Sequence, residues 1–100
     1  MKKFMPCAKQ AAVIAFLIVS GSAFAAVTCE QLAEIAYVTE RLRDNGTPLA
    51  EVMGEADRLE ATKRFTPVEV AGIRQTIEFA FKRVRNPNET LLECRARTKQ

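Results

Sequence analysis

Apolar residues between positions 27 and 97 recur at helical spacing, and no segment alternates apolar with polar side chains as a strand would. Four segments carry this repeat. Three of the four open on a Thr-Pro or Asn-Pro pair, which places proline at the first helical position, where its missing N–H is not needed. The pattern therefore predicts an all-α fold, a small bundle of four helices.

The predicted helices cover about residues 29–43, 48–61, 67–85 and 87–97. Thr28 with Gln31 and Thr66 with Glu69 have the spacing of capping boxes, and Thr47 is the expected N-cap of the second helix. The side chains expected to face the core are Leu32, Ala33, Ile35, Ala36, Thr39, Leu42, Leu49, Val52, Met53, Ala56, Leu59, Val70, Ile73, Ile77, Ala80, Phe81, Val84, Leu91, Leu92 and Cys94.

Residues 1–25 have the composition of a cleavable export signal. Two lysines near the start precede an uncharged apolar run at 11–19, and Ala-Phe-Ala at 23–25 supplies small residues ahead of a cleavage site. The run is too short for a transmembrane helix, which needs about 20 apolar residues. We therefore expect a mature helical domain of residues 26–100, periplasmic or secreted, with no membrane contact after cleavage.

The cysteines fit such a destination. Cys7 lies in the predicted signal, whereas Cys29 and Cys94 lie near the two ends of the predicted domain. An even number of cysteines in an oxidising compartment predicts a disulfide. Closing so long a loop stabilises a fold by about 4 kcal/mol in the chain-entropy model, which is a large share for so small a domain.

Charge argues against a nucleic-acid partner. The full chain carries +3, but three of its lysines lie in the predicted signal, which leaves the domain formally neutral. The charge is unevenly distributed: residues 26–72 hold nine acidic and five basic residues, and residues 73–100 hold three acidic and seven basic ones. Attraction between the two halves within the bundle is the first interpretation, and a basic C-terminal face for an acidic partner is the second.

Catalytic chemistry has few candidates in this sequence. There is no histidine, both serines lie in the predicted signal, and paired cysteines leave no thiol in the domain. Nucleophile–histidine catalysis and thiolate or imidazole metal sites therefore lack their residues. Glu51 and Glu55 stand at i, i+4 spacing, for which a solvated polar face is the expected role. We predict a protein without enzymatic activity, cofactor or metal.

The third helix has apolar residues on two sides. Phe79 and Val68 fall nearly opposite its main apolar stripe. The simpler expectation is that the fourth helix, drawn in by the disulfide, covers Phe79. The alternative is an exposed surface with Lys82, Arg83 and Arg85 around it, since aromatic and arginine side chains are typical of protein-binding sites and of homodimer interfaces.

Three resemblances add to this interpretation. A cysteine that opens the first helix, the segment LAEIAYVTERLRDNG at 32–46 and a second cysteine near the C-terminus resemble small exported proteobacterial helical proteins whose function is not established. The resemblance implies the fold and the compartment, and it implies no active site. Thr28-Cys29-Glu30, with the export signal and a single disulfide, is more loosely similar to periplasmic acid-stress chaperones. The general build is also similar to that of periplasmic immunity proteins.

The expected function is therefore to bind a protein partner in the periplasm, in the manner of an inhibitor or immunity protein, through the surface of the third and fourth helices. The alternative is an acid-stress chaperone. Near pH 3, protonation of its carboxylates would leave the twelve basic residues of the predicted domain unopposed, which favours exposure of apolar faces.

Overall fold

The computed structural model describes residues 27–98, which form four helices and, within this range, no strand. The helices are α1 (Cys29–Asp44), α2 (Leu49–Ala61), α3 (Pro67–Phe81) and α4 (Pro87–Thr98). The prediction of an all-α bundle of four helices is confirmed. The predicted export signal lies outside the described residues. None of the four described helices is long and apolar enough to cross a membrane.

Local hydrogen bonds start α1 and α3 where the sequence predicts. Thr28 Oγ1 accepts from the Gln31 amide at 3.0 Å, and Gln31 Oε1 accepts from the Thr28 amide at 2.9 Å. Thr66 and Glu69 form the same reciprocal pair at 3.1 and 2.8 Å. Each box satisfies two of the backbone donors that a helix start leaves free. Both predicted capping boxes are therefore confirmed.

Two helix boundaries differ from the prediction. α2 has Pro48 as its N-cap, not Thr47, and no side chain caps it. α3 ends at Phe81, four residues early, because Arg83 takes the left-handed conformation at φ 63°. The Arg83 amide then donates to the Ala80 carbonyl at 3.2 Å, and the amide of the next residue donates to the Phe79 carbonyl at 2.8 Å. This is the Schellman arrangement, which terminates a helix.

The early end of α3 changes which side chains are buried. Val84 leaves the helix and is 58% exposed, so its predicted core position is wrong. Leu92 on α4 was also predicted to face inward and is 55% exposed, because Cys94 sets the rotation of that helix. Two α4 residues, Thr90 and Cys94, are buried.

The core lies where α1, α2 and α3 meet. α1 packs against both α3 and α4, α2 packs mainly against α3, and α4 has little direct contact with α3. The buried cluster consists of Ile35, Val38, Val52, Ala56, Leu59, Ile73 and Ile77. α4 is therefore attached to the bundle through α1, on the side away from most of the core.

The predicted disulfide is confirmed and holds α4 in this position. Cys29 opens α1 and is bonded to Cys94 in α4, with 5.5 Å between their Cα atoms and 65 residues between them along the chain. Arg95 Nη2 donates to Glu30 Oε2 at 2.7 Å directly beside the bond. A covalent bond and an ion pair thus join the two ends of the described chain.

We expect the double substitution Cys29→Ala and Cys94→Ala to lower the free energy of unfolding by about 4 kcal/mol, because the unfolded chain regains the freedom that the bond removes. Denaturant unfolding of the purified variant measures this change. In this variant we also expect α4 to unfold before the other helices, because it buries only two side chains. A variant as stable as the wild type would contradict this account.

A buried hydroxyl in α1 gives a second prediction. Thr39 is 0% exposed, and no described group forms a hydrogen bond with its Oγ1. Thr39→Val keeps the shape and removes the unsatisfied group, so we expect stability to rise by about 1 kcal/mol in thermal or denaturant unfolding. Thr39→Ser is the control: it keeps the hydroxyl, deletes a buried methyl group and should destabilise. A destabilised valine variant would show that the hydroxyl has a partner.

Candidate functional site

α3 faces α4 across a groove of about 290 Å³, which also reaches the start of α1. We call this the α3–α4 groove. It exists because α3 and α4 each pack on α1 and hardly on each other. Its apolar lining consists of Val27, Leu32, Val68, Gly72, Phe79 and the disulfide-bonded Cys94. The groove is therefore a largely apolar surface that the described helices leave uncovered.

Small side chains keep the groove open. Gly72 lies in the middle of α3, and a Cβ atom added there would meet nothing within 4 Å. Thr76 on α3 and Thr90 on α4 line the walls and are 8% and 6% exposed. A glycine inside a helix costs about 1 kcal/mol relative to alanine. No packing contact among the described residues requires that glycine, so its effect is to leave space in the groove.

An arginine covers the aromatic ring at one end of the groove. Arg85 Cζ lies 4.9 Å from the centre of the Phe79 ring, which is within the range of cation–π contact. Both side chains are half-buried. Arg85 thus covers part of the Phe79 ring, and the ring lines the groove together with residues of α4.

The groove brings together three of the five residues proposed from sequence. Val68 and Phe79 line one wall, and Arg85 lies at the Phe79 end. Lys82 and Arg83 lie outside the lining: Lys82 pairs with Glu78 at 2.8 Å, and Arg83 lies 4.0 Å from an Asp44 carboxylate oxygen.

The sequence interpretation placed the binding surface on the third and fourth helices but named no residue of α4 in it. The lining residues Thr90, Arg97 and Thr98 carry no apolar pattern, so periodicity does not single them out. The position of Cys94 was the available signal, because a bond to Cys29 brings this part of α4 to the start of α1.

A second apolar surface lies beyond Arg85. Val84, Leu92 and Ala96 line a shallow depression on the outer side of α4, with Arg85 at its edge. It is much more open than the α3–α4 groove and has no enclosing walls. We therefore regard the groove as the candidate site and the depression as its surroundings.

Two groups of ion pairs outside the groove lining join helices to one another. One is centred on Arg74, and the other is the pair of Arg95 with Glu30. Arg74 on α3 donates to Asp57 at 2.5 Å and to Glu60 at 2.6 Å, both on α2. The hydrogen bond to Asp57 raises the pKa of Arg74, and the hydrogen bond from Arg95 lowers the pKa of Glu30. Both groups of ion pairs join neighbouring helices and contribute no residue to the groove lining, so we regard them as structural.

No group of three or more His, Cys, Asp or Glu side chains within 27–98 is placed to hold a metal ion. The groove combines apolar contact area, three threonine side chains and a positively charged end, which is an arrangement suited to binding. Comparison of the chain with protein-family models, curated proteins and solved structures finds no match.

Proposed function

We propose that this protein acts outside the cytoplasm as a non-enzymatic binding protein and that the α3–α4 groove receives a segment of a protein partner. The observation that carries the proposal is the groove itself, an uncovered apolar surface with the Phe79–Arg85 pair at one end. Aromatic and arginine side chains dominate the energetic centres of protein interfaces. An inhibitor- or immunity-like role would use such a surface.

The shape of the groove favours a peptide segment over a small molecule. From Val68 to Phe79 the groove follows three turns of α3, a length of about 16 Å. Small-molecule sites enclose most of their ligand, whereas this groove is open along one side. An amphipathic helix can lie in a groove of this length and insert side chains at i, i+3 or i+4, and i+7.

The disulfide supports the proposed compartment. A bond between Cys29 and Cys94 persists in oxidising surroundings such as the periplasm or the extracellular space. The predicted export signal at 1–25 would bring the chain there. We therefore expect the partner of this protein to be an exported protein.

Gly72→Leu tests the groove directly. The added side chain fills the groove, so we expect affinity for the captured partner to fall about tenfold or more, while higher helix propensity keeps the fold at least as stable. The partner is captured from periplasmic extract by cross-linking, identified, purified and titrated against both forms by calorimetry.

Gly54→Leu is the matched control. Gly54 also lies in a helix interior with nothing within 4 Å of an added Cβ, but it belongs to α2 and does not line the groove. This variant should bind as the wild type does. Equal affinity of the Gly72→Leu form and the wild type for the partner would rule out the groove as the binding surface.

A second candidate function, an acid-activated chaperone, is favoured by the ion pairs between helices. The lowered pKa of Glu30 means that its pair with Arg95 stabilises the fold above the ordinary glutamate pKa. This contribution disappears as the pH falls below about 4.3 and through the lower folded value.

This candidate predicts that the free energy of unfolding falls between about pH 5 and pH 3, and that the acid form suppresses aggregation of a client protein in a light-scattering assay. Glu30→Gln removes one titrating pair, so its stability should depend less on pH over this range. Unhindered aggregation of the client at pH 3 would remove the chaperone function and leave the binding function in place.

A further inference from the structure

We infer that the segment received by the α3–α4 groove is amphipathic and carries a carboxylate that pairs with Arg85; this inference rests on the proposed function. The occupant is a segment of a partner protein with an acidic residue at one end and apolar side chains along the rest. The argument depends on the charge at the Phe79 end of the groove and on the apolar wall that follows it.

Three described arginines, Arg41, Arg64 and Arg85, have no described carboxylate oxygen within 4.0 Å of their guanidinium nitrogens. Of these three, Arg85 lines the groove, whereas the other two are exposed and lie outside its lining. The arginines with a carboxylate partner within that distance are Arg43, Arg58, Arg74, Arg83, Arg95 and Arg97. Because Arg85 is also half-buried against an aromatic ring, its charge is partly desolvated without compensation from an anion.

The surroundings of Arg85 favour an acidic segment over a basic one. Lys82, Arg83 and Arg85 lie within four residues in the turn between α3 and α4. Glu78 pairs with Lys82 and Asp44 lies near Arg83, which leaves Arg85 as the charge without a described carboxylate partner. Glu89 borders Arg85 on its outer side, but its Oε1 accepts from the Asn86 amide at 2.9 Å as part of the α4 N-cap. A carboxylate supplied by a partner would form charge-assisted hydrogen bonds with a guanidinium group that is already positioned by Phe79.

The opposite end of the groove lacks an equivalent free charge. Arg97 pairs with Glu93 at 3.6 Å, and the Glu69 carboxylate accepts from the Thr66 amide. Between the two ends the lining is mainly apolar, with the space at Gly72 in the middle. This order assigns a direction to the occupant: its carboxylate lies at the Phe79 end, and its apolar side chains extend toward Val68.

Two synthetic peptides test the inference. Each is an acetylated and amidated alanine-based helix of about 16 residues with leucines at i, i+3 and i+7, and one glutamate or one glutamine precedes the first leucine by a turn. We expect the glutamate peptide to bind the disulfide-bonded protein about tenfold more tightly than the glutamine peptide in fluorescence anisotropy. Arg85→Gln should abolish this difference.

Arg83→Gln is the matched control, since it removes the same charge from the same turn at a residue outside the groove, and it should keep the preference for glutamate. Equal binding of the two peptides by the wild type overturns the inference, as does failure of both to bind. A third result also overturns the inference: the wild type self-associates in sedimentation experiments, and Arg85→Gln abolishes that self-association. The occupant of the groove would then be a second copy of this chain. If Gly72→Leu still blocks partner binding in those cases, the proposed function stands without this inference.

Discussion

The covalent bond between the start of α1 and the middle of α4 is the constraint on which the rest of the structure depends. α4 buries two residues, one of which is Cys94 itself, so apolar burial alone gives this helix little reason to stay on the bundle. The bond sets both its position and its rotation. It thereby creates the second wall of the α3–α4 groove, which α1, α2 and α3 could not form by themselves. The candidate site is in this sense a product of the disulfide.

The core cluster and the groove lining consist of different residues, although Val27 and Leu32 of the lining also pack against the cluster. The large buried side chains, among them Ile35, Ile73 and Ile77, lie between α1, α2 and α3. The groove lining includes small or polar residues such as Gly72, Thr76 and Thr90. Gly72 is the lining position where a side chain can be added without meeting a neighbour, because nothing lies within 4 Å of a Cβ atom built there.

Sequence patterns predicted the features that depend on local interactions. The capping boxes at Thr28 and Thr66 involve partners three residues away, and both formed as expected. The end of α3 depends on Arg83 in a left-handed conformation, which is uncommon for a residue with a side chain, and no glycine or proline marked it. Leu92 is exposed because the bond at Cys94 sets how α4 is rotated on the bundle. Helical periodicity alone does not predict that rotation. The second apolar face of α3, with Val68 and Phe79, was visible from spacing, whereas its facing wall was not.

The pairing of Phe79 with Arg85 explains how a partly exposed aromatic ring persists on a small domain. The guanidinium group shields one face of the ring from water, and the ring holds that group in place without neutralising its charge. Arg85 thus limits the exposed apolar area of the free protein and keeps its charge available at the same time. Complete coverage by α4 would have stabilised the ring more and closed the groove. That α4 instead packs on α1 and has little contact with α3 is the structural reason why this end of the groove is not closed.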